Sequence, residues 1–463
     1  MNKKKGKVAF LTLGCKVNTY ETNAMETLFQ KAGYELVNFS EEADIYIVNT
    51  CTVTNMADRK SRQMLHKAKK KNPNAIVVAA GCYVQAAGEA VKEDMAVDLI
   101  IGNNKKGNVV EAVEEYMFSN GIEVLHNFTP KIHTEKQYEK LAIDTAGEMT
   151  RAVIKIQDGC NQFCSYCIIP FARGRVRSRE MEDVLEEVKR IAASGCQEVV
   201  LTGIHLSSYG VDLKPWREEN IKHDFVTLEG KPLLQLMEQI SQIEGIQRIR
   251  LGSLEPRVIT EQFVSELSRL KKVCPHFHLS LQSGCDETLK RMNRRYTTEE
   301  FRDNTAILRS YYKNPAITTD IIVGFPGETE EELEITKRFL EKIHFSQMHV
   351  FKYSVRKGTK AEGMKDQVPE QEKTVRSEQV IALEKSMRLD YLKEMMKEPQ
   401  CVLFEEETEI DGKKYYVGHN ERYVKFAIPA GEEELSNKLK VVNPMSIYKE
   451  DMIVCEAENE SKK

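Results

Sequence analysis

Two series of alternating segments dominate this sequence and restrict what it can fold into. Over the first hundred residues, short β-rich apolar runs at 8–13, 44–49, 75–80 and 97–101 are separated by helix-like stretches such as 20–32 and 57–71. A second series begins near Arg151, with strands expected at 153–157, 198–202, 248–252, 276–281, 317–323 and 347–353. Helical patterns at 181–193, 233–243, 259–270 and 329–343 fall between them. Strand-helix alternation of this kind means βαβ units and parallel sheets. The first series predicts a parallel α/β domain. Six consecutive units in the second predict an incomplete (β/α)6 barrel, open on one side.

After a charged, glycine-free stretch at 370–398 that reads as one long helix, the pattern changes. Short β-runs at 401–405, 414–419, 423–428, 439–443 and 452–455 predict a small antiparallel barrel, a shape often used to bind nucleic acid. The polar residues 456–463 read as disordered. No repeat of 20–50 residues is present, which argues against a solenoid. A chain of 463 residues, 41% apolar and 30% charged, can fill several cores. Its net charge of −4 leaves RNA contact to local basic patches, not to the field of the whole molecule.

Lys3, Lys4, Lys5 and Lys7 ahead of the apolar run 8–13 mimic a secretory signal, but the run falls short of the ~7–15 residues such a segment needs. Nothing later approaches the ~18 apolar residues of a membrane span, so a cytoplasmic protein without membrane contact is expected. Eleven cysteines in such a chain point to metal or redox chemistry for some of them.

The sharpest local pattern is Cys160-x3-Cys164-x2-Cys167 in DGCNQFCSYCIIP (158–170), directly after the first strand of the second series. Three thiolates on one tight loop can hold three corners of a cubane cluster and leave its fourth iron open to a small molecule. Structural zinc is the rival reading, but it needs a fourth ligand that the loop does not supply. Cys15, Cys51 and Cys82 each end an expected strand, in TLGC (12–15), NTC (49–51) and AAGC (79–82). The carboxyl ends of parallel strands share one edge, so the three converge either as a second cluster site or as small buried packing residues. Cys196, Cys274, Cys285, Cys401 and Cys455 share no ligand spacing and read as packing residues.

The Cys160–Cys167 spacing resembles the signature of the radical S-adenosylmethionine superfamily. TLGCKVN (12–18), NTCTVT (49–54) and GCYVQ (81–85) add a resemblance to its methylthiotransferase family across nearly the whole chain. KVN and TVT resemble the bacterial branch that acts on N6-threonylcarbamoyladenosine in tRNA.

The resemblance implies three domains: an amino-terminal domain at 5–120, a radical core at 146–380 and an RNA-binding TRAM domain at 385–456. It implies two 4Fe-4S clusters, held by Cys15, Cys51 and Cys82 and by Cys160, Cys164 and Cys167, with S-adenosylmethionine as cofactor. One cofactor molecule would methylate sulfur on the first cluster. A second would yield a 5′-deoxyadenosyl radical that takes hydrogen from C2 of the adenine, and the resulting carbon radical would capture the methylthio group.

Tyr166 would help seat the adenine of the cofactor, while Ser253, Glu255, Gln282 and Asp320 could reach its ribose or methionine groups, or serve as caps and turn residues. The stretch TGIHLSSYG (202–210) departs from the Gly-Gly-Glu found in many relatives and leaves the partner of the methionyl amine open. Arg173, Arg175, Arg177 and Arg179, at alternate positions beside the loop, suit phosphate recognition. So does the basic run from Arg59 to Lys71, equally readable as a solvated helix face. Tyr416, Tyr423, Lys425 and Phe426 offer aromatic and cationic surface in the last barrel. The partners implied are a tRNA anticodon stem-loop and an electron donor. Rival readings are the same chemistry on isopentenyladenosine or on a ribosomal protein side chain, and a non-enzymatic metal-containing RNA-binding protein.

Overall fold

A computed structural model describes residues 5–88, 91, 94–118, 127–128, 131–143, 150–214 and 229–458. The first unit is a six-stranded sheet of β1 (Lys7–Thr12), β2 (Glu35–Val37), β3 (Ile45–Thr50), β4 (Ile76–Gly81), β5 (Leu99–Ile101) and β6 (Asn127–Phe128). Its order is β2-β1-β3-β4-β5-β6 and every pairing is parallel. Central β3, IYIVNT, is buried at every position, as a strand covered on both faces must be. Helices α1 (Lys16–Lys31), α2 (Asn55–Lys71) and α3 (Cys82–Ala87) each leave the carboxyl end of a strand.

The second unit is a curved parallel wall of β7 (Arg151–Asp158), β9 (Glu198–Gly203), β10 (Arg248–Leu251), β11 (His276–His278), β12 (Ala316–Val323) and β13 (Gln347–Lys352). Isolated pairs Ile249–Val273 and Leu254–Leu279 carry the wall from β10 to β11. A two-residue strand, β8 (Arg177–Ser178), pairs antiparallel on the outer edge of β7, and among the described residues β13 pairs only with β12. The barrel is incomplete, as expected.

Alternation along these strands separates two faces. Ile154, Leu201, Ile249, Phe277, Ile321 and Met348 join the outer core beneath the helices. Most positions between them are polar, among them Arg151, Glu198, Arg250, His276, His278, Asp320 and His349, with Val153 and Val200 beside them. The inner wall is a charged lumen, unlike the branched apolar filling usual in closed barrels.

The expected helix at 370–398 forms as Glu370–Met395. It leads to a closed barrel of β14 (Gln400–Ile410), β15 (Lys413–Asn420), β16 (Lys425–Pro429), β17 (Leu439–Tyr448) and β18 (Met452–Ala457), in the order β14-β15-β16-β18-β17. This barrel is antiparallel except for β16–β18. Because β18 inserts between β16 and β17, it meets β16 running the same way. Of the tail read as disordered, Glu456 and Ala457 belong to β18, and 459–463 lie outside the described residues.

The turn between β15 and β16 drives Tyr423 into the lumen. Its ring stacks on His419 at 4.5 Å and lies 4.9 Å from the guanidinium carbons of both Arg151 and Arg250. Arg250 also donates to the carbonyls of Glu421 and Asn420 and to the Glu198 carboxylate, Nε to Oε1 at 2.6 Å. Burial pushes the Glu198 carboxyl up, but Arg250, Arg151 and Arg248 together outweigh it and hold the group below its ordinary value. A depressed carboxyl stabilises the fold above its unfolded pKa, ~4.3, and loses that contribution as pH falls through the folded value. Glu198→Gln is therefore expected to cost about 3 kcal/mol at pH 7. In urea unfolding, the gap from wild type should narrow below about pH 4.

Candidate active site

The Cys160 loop begins where β7 ends. Gly159 sits at φ +71°, and a Cβ there would lie 1.9 Å from the Arg175 carbonyl oxygen, so only glycine allows the chain to turn. The Cys160 amide donates to Gly174 O at 3.0 Å and the Cys167 amide to Cys164 O at 3.0 Å, which closes the three thiols into one tight loop. Ser165 ties the loop to the barrel through Met292 O and Arg291 O. Half-buried Arg294 donates to Cys164 Sγ at 3.3 Å and to Ser280 O at 2.9 Å. Burial, then repulsion from Cys164, pushes the Cys160 thiol up to about 12, and the same causes raise Cys167. Ionising such crowded thiols requires a cation, and metal loading would release their protons.

Beside this loop lie two buried polar atoms without partners. Glu255 accepts from Arg257 Nε at 2.7 Å through Oε1, while its Oε2 has no partner. His205 pairs with Ser208 Oγ through Nδ1 at 2.6 Å, and its Nε2 has none. Burial, reinforced by Arg294 and Arg257, lowers the His205 pKa to about 3, so the ring is neutral. A neutral imidazole and a half-paired carboxylate next to three thiols fit an ammonium-bearing ligand on an open cluster iron. His205, Arg257 and Arg294 were not singled out by the sequence; the only hint was the departure at 202–210.

The other expected cofactor residues are spread around the same end of the barrel. Tyr166 is half-buried, with its ring edge-on to Phe325 at 6.3 Å. Ser253 is exposed at the end of β10. Gln282 is buried at φ +72°, a costly conformation for a residue with a side chain. Asp320 pairs with His278 Nε2 at 3.2 Å on the inner wall, with His349 beside them, all three offering ligand atoms within 4.8 Å of one another.

Cys15, Cys51 and Cys82 do converge. A Cβ on Gly14 would lie 2.8 Å from Cys51 Sγ, and repulsion from Cys82 raises both the Cys15 and Cys51 thiols. Burial is the larger cause in each and takes Cys51 to about 11. Cys15 is reached by solvent at the rim of this recess, yet the mass of protein around it still desolvates the thiol. Asn103 Nδ2 and Arg173 Nε point at Cys82 Sγ, at 3.5 and 3.2 Å. Arg356, in the loop after β13, donates to Asn55 Oδ1, Thr52 Oγ1 and Asp58 Oδ2 at 2.7–2.8 Å, which fastens the TVT segment to the barrel. By contrast Cys196, Cys274, Cys285 and Cys455 are buried at separate places.

The arginine run is not the surface that its spacing suggested. Arg173 and Arg177 are 0% exposed and Arg179 is 5% exposed; only Arg175 faces solvent. Carboxylates draw them inward: Glu21, remote in sequence, and Asp158 hold Arg173, Asp158 lies 3.7 Å from Arg177, and Glu187 pairs with Arg179. In the last barrel strand alternation turns Tyr416 and Phe426 inward, and Tyr423 fills the lumen. Exposed cations lie instead on α2, at Arg59, Lys60, Arg62, Lys67 and Lys70, a few residues beyond Cys51.

A loop of three thiols at the head of an open (β/α)6 wall defines the radical S-adenosylmethionine class, and residues 154–340 match the model of the Radical SAM superfamily. Residues 7–102 match a family described as Uncharacterized protein family UPF0004. The chain is 38% identical, over 98% of its length and 97% of the relative's, to threonylcarbamoyladenosine tRNA methylthiotransferase MtaB of Bacillus subtilis. It is 35% identical, over 94% of both, to the tRNA-2-methylthio-N(6)-dimethylallyladenosine synthase of Pelotomaculum thermopropionicum. The radical S-adenosylmethionine methyltransferase TsrM of Kitasatospora setae shares the fold, with a TM-score of 0.51 and 15% identity over 74% of this chain and 72% of that one. The chain belongs to the radical S-adenosylmethionine methylthiotransferase family. It is an enzyme of that class, using S-adenosylmethionine and 4Fe-4S clusters. No described helix is long and apolar enough to cross a membrane.

Proposed function

We propose that this enzyme converts N6-threonylcarbamoyladenosine next to the anticodon of tRNA to its 2-methylthio form. The observation that carries the reading is the pairing of two three-thiol recesses on adjoining sheet edges. In this reading Cys160, Cys164 and Cys167 hold the cluster that binds the cofactor, and Cys15, Cys51 and Cys82 hold the second. When bound, these groups supply the cofactor-derived radical and the methylthio sulfur.

The chain's own residues bind and orient. Glu255 and His205 would hold the methionyl end of the cofactor, Tyr166 would seat its adenine, and Ser253 and Gln282 would border it. The exposed cations of α2 and Arg175 hold phosphate backbone, positioning an unstacked loop base. Residues 5–120, 146–380 and 385–456 act as the three domains of a cytoplasmic enzyme fed by a separate electron donor.

The inner wall supports the choice of substrate. A threonylcarbamoyl group carries a carboxylate, a hydroxyl and a urea, which suit the His278–Asp320–His349 wall and Lys16 at its rim. A dimethylallyl group would leave those polar groups facing hydrocarbon. The test is anaerobic incubation of the reconstituted enzyme with tRNA containing both modified adenosines, followed by nucleoside mass spectrometry. Methylthiolation of the threonylcarbamoyl nucleoside alone is expected. Methylthiolation of the dimethylallyl nucleoside instead would overturn the substrate and keep the chemistry.

A further inference from the structure

We propose that Arg173 is a positioning residue of the second cluster site, whose guanidinium donates to Cys82 and makes the cluster held there easier to reduce. This rests on Cys15, Cys51 and Cys82 forming a cluster site.

Three observations converge on it. Arg173 ends helix α4 (Ile169–Arg173), which follows the Cys160–Cys167 loop by two residues, so the chain ties it directly to the other site. Its Nε lies 3.2 Å from Cys82 Sγ. The rest of the fork is held by groups of the first domain and of β7: Nη1 by Glu21 Oε1 at 2.8 Å and Asp158 Oδ1 at 3.1 Å, Nη2 by Asn18 Oδ1 at 2.7 Å and Glu21 Oε2 at 3.0 Å. Every polar nitrogen of a fully buried guanidinium is thus committed, and one of them to sulfur.

Charge makes the same point. Lys106, Lys155, Arg173 and Arg177 cluster around Glu21 and Asp158, with half-buried Glu139 near the two lysines. The cations outnumber the carboxylates by one even when Glu139 is ionised, and burial raises Glu139 toward its neutral form. Buried positive charge in excess needs an anion, and the sulfur of Cys82, 3.2 Å from Arg173 Nε, is a group there able to carry one. A full positive charge and an N–H···S bond on a ligand thiolate favour the reduced cluster, which carries one more negative charge. Neither Cys15 nor Cys51 receives a side-chain donor of this kind among the described residues.

The experiment uses full-length protein carrying Cys160→Ala, Cys164→Ala and Cys167→Ala, which isolates the second site. Arg173→Gln added to this background should retain iron and shift the midpoint potential negative. Arg173→Lys, which keeps the charge but not the fork, should shift it less. In protein labelled with 15N-arginine, pulsed EPR of the reduced cluster should resolve coupling to an arginine nitrogen. That measurement needs no substitution at Arg173, so it decides the matter if the variants do not fold. An unchanged potential in both variants, or no 15N coupling, overturns the proposal. Failure of the three-alanine background to bind iron overturns the cluster assignment itself and the proposal with it.

Discussion

Cys51→Ala is expected to lose all methylthiolation while retaining reductive cleavage of S-adenosylmethionine to 5′-deoxyadenosine. Cys51 is 7% exposed, at the end of a strand buried along its whole length, and it closes the recess between Gly14 and Cys82. Two remaining thiols cannot hold three corners of a cubane. The Cys160 loop makes its own contacts, to Gly174, Met292 and Arg294, and none of them passes through Cys51. The two activities should therefore separate. Iron content should fall to about half the wild-type value, roughly four ions per chain in place of eight. Cys164→Ala is the converse: with the sulfur facing Arg294 gone, both cleavage and methylthiolation should stop. Nucleoside mass spectrometry and 5′-deoxyadenosine quantitation on the same samples check both outcomes. Methylthiolation surviving in Cys51→Ala would remove the second cluster from that recess.

What the sequence made legible followed the range of the interactions that decide it. The Cys160 loop is local: glycine at 159 and three cysteines within eight residues specify the turn with little outside help. Cys15, Cys51 and Cys82 lie 36 and 31 residues apart, yet parallel-strand topology alone brings their ends to one edge. Cys15 and Cys82 also follow glycines at φ +100° and +97°, a repeated strand-end turn that is visible as the dipeptide GC.

The arginine run misled for the opposite reason. Alternate spacing beside a loop suggests exposure, and Glu21, which draws Arg173 inward, lies 152 residues away on α1, while Glu187 meets Arg179 from the helix that follows it. Tyr423 is a similar case, since what buries its ring is a lumen formed by β7 and β10 more than 170 residues earlier. His205 emerges only when unpaired buried atoms are counted, because no spacing rule marks an atom that awaits a ligand, whereas Glu255 is readable from its place just after a strand of the second series.

Glu21→Ala is expected to destabilise the protein more than any other single change in the polar interior. Glu21 is 1% exposed on α1 and accepts from Arg173 and from Lys155 at 2.7 Å, and it is paired with Lys106 as well. Burial alone would push its carboxyl up, but the three cations, Arg173 foremost, hold it well below the ordinary carboxylate value. The group is therefore fully ionised at neutral pH, and its contribution is lost only under strong acid. Removing it strands positive charge in a dry interior, where breaking a buried pair costs about 3–5 kcal/mol, and here one carboxylate serves three partners. Because Lys155 and Arg173 belong to the barrel and Glu21 to the first domain, the loss should also loosen the contact between them. Urea unfolding should show the lower midpoint, and the loosening should appear as faster hydrogen exchange in both α1 and β7. Glu21→Gln, which keeps the shape and some hydrogen bonds, should fall between. A Glu21→Ala unfolding free energy within ~0.5 kcal/mol of wild type would mean that the cations have other anions to turn to, foremost the sulfur of Cys82.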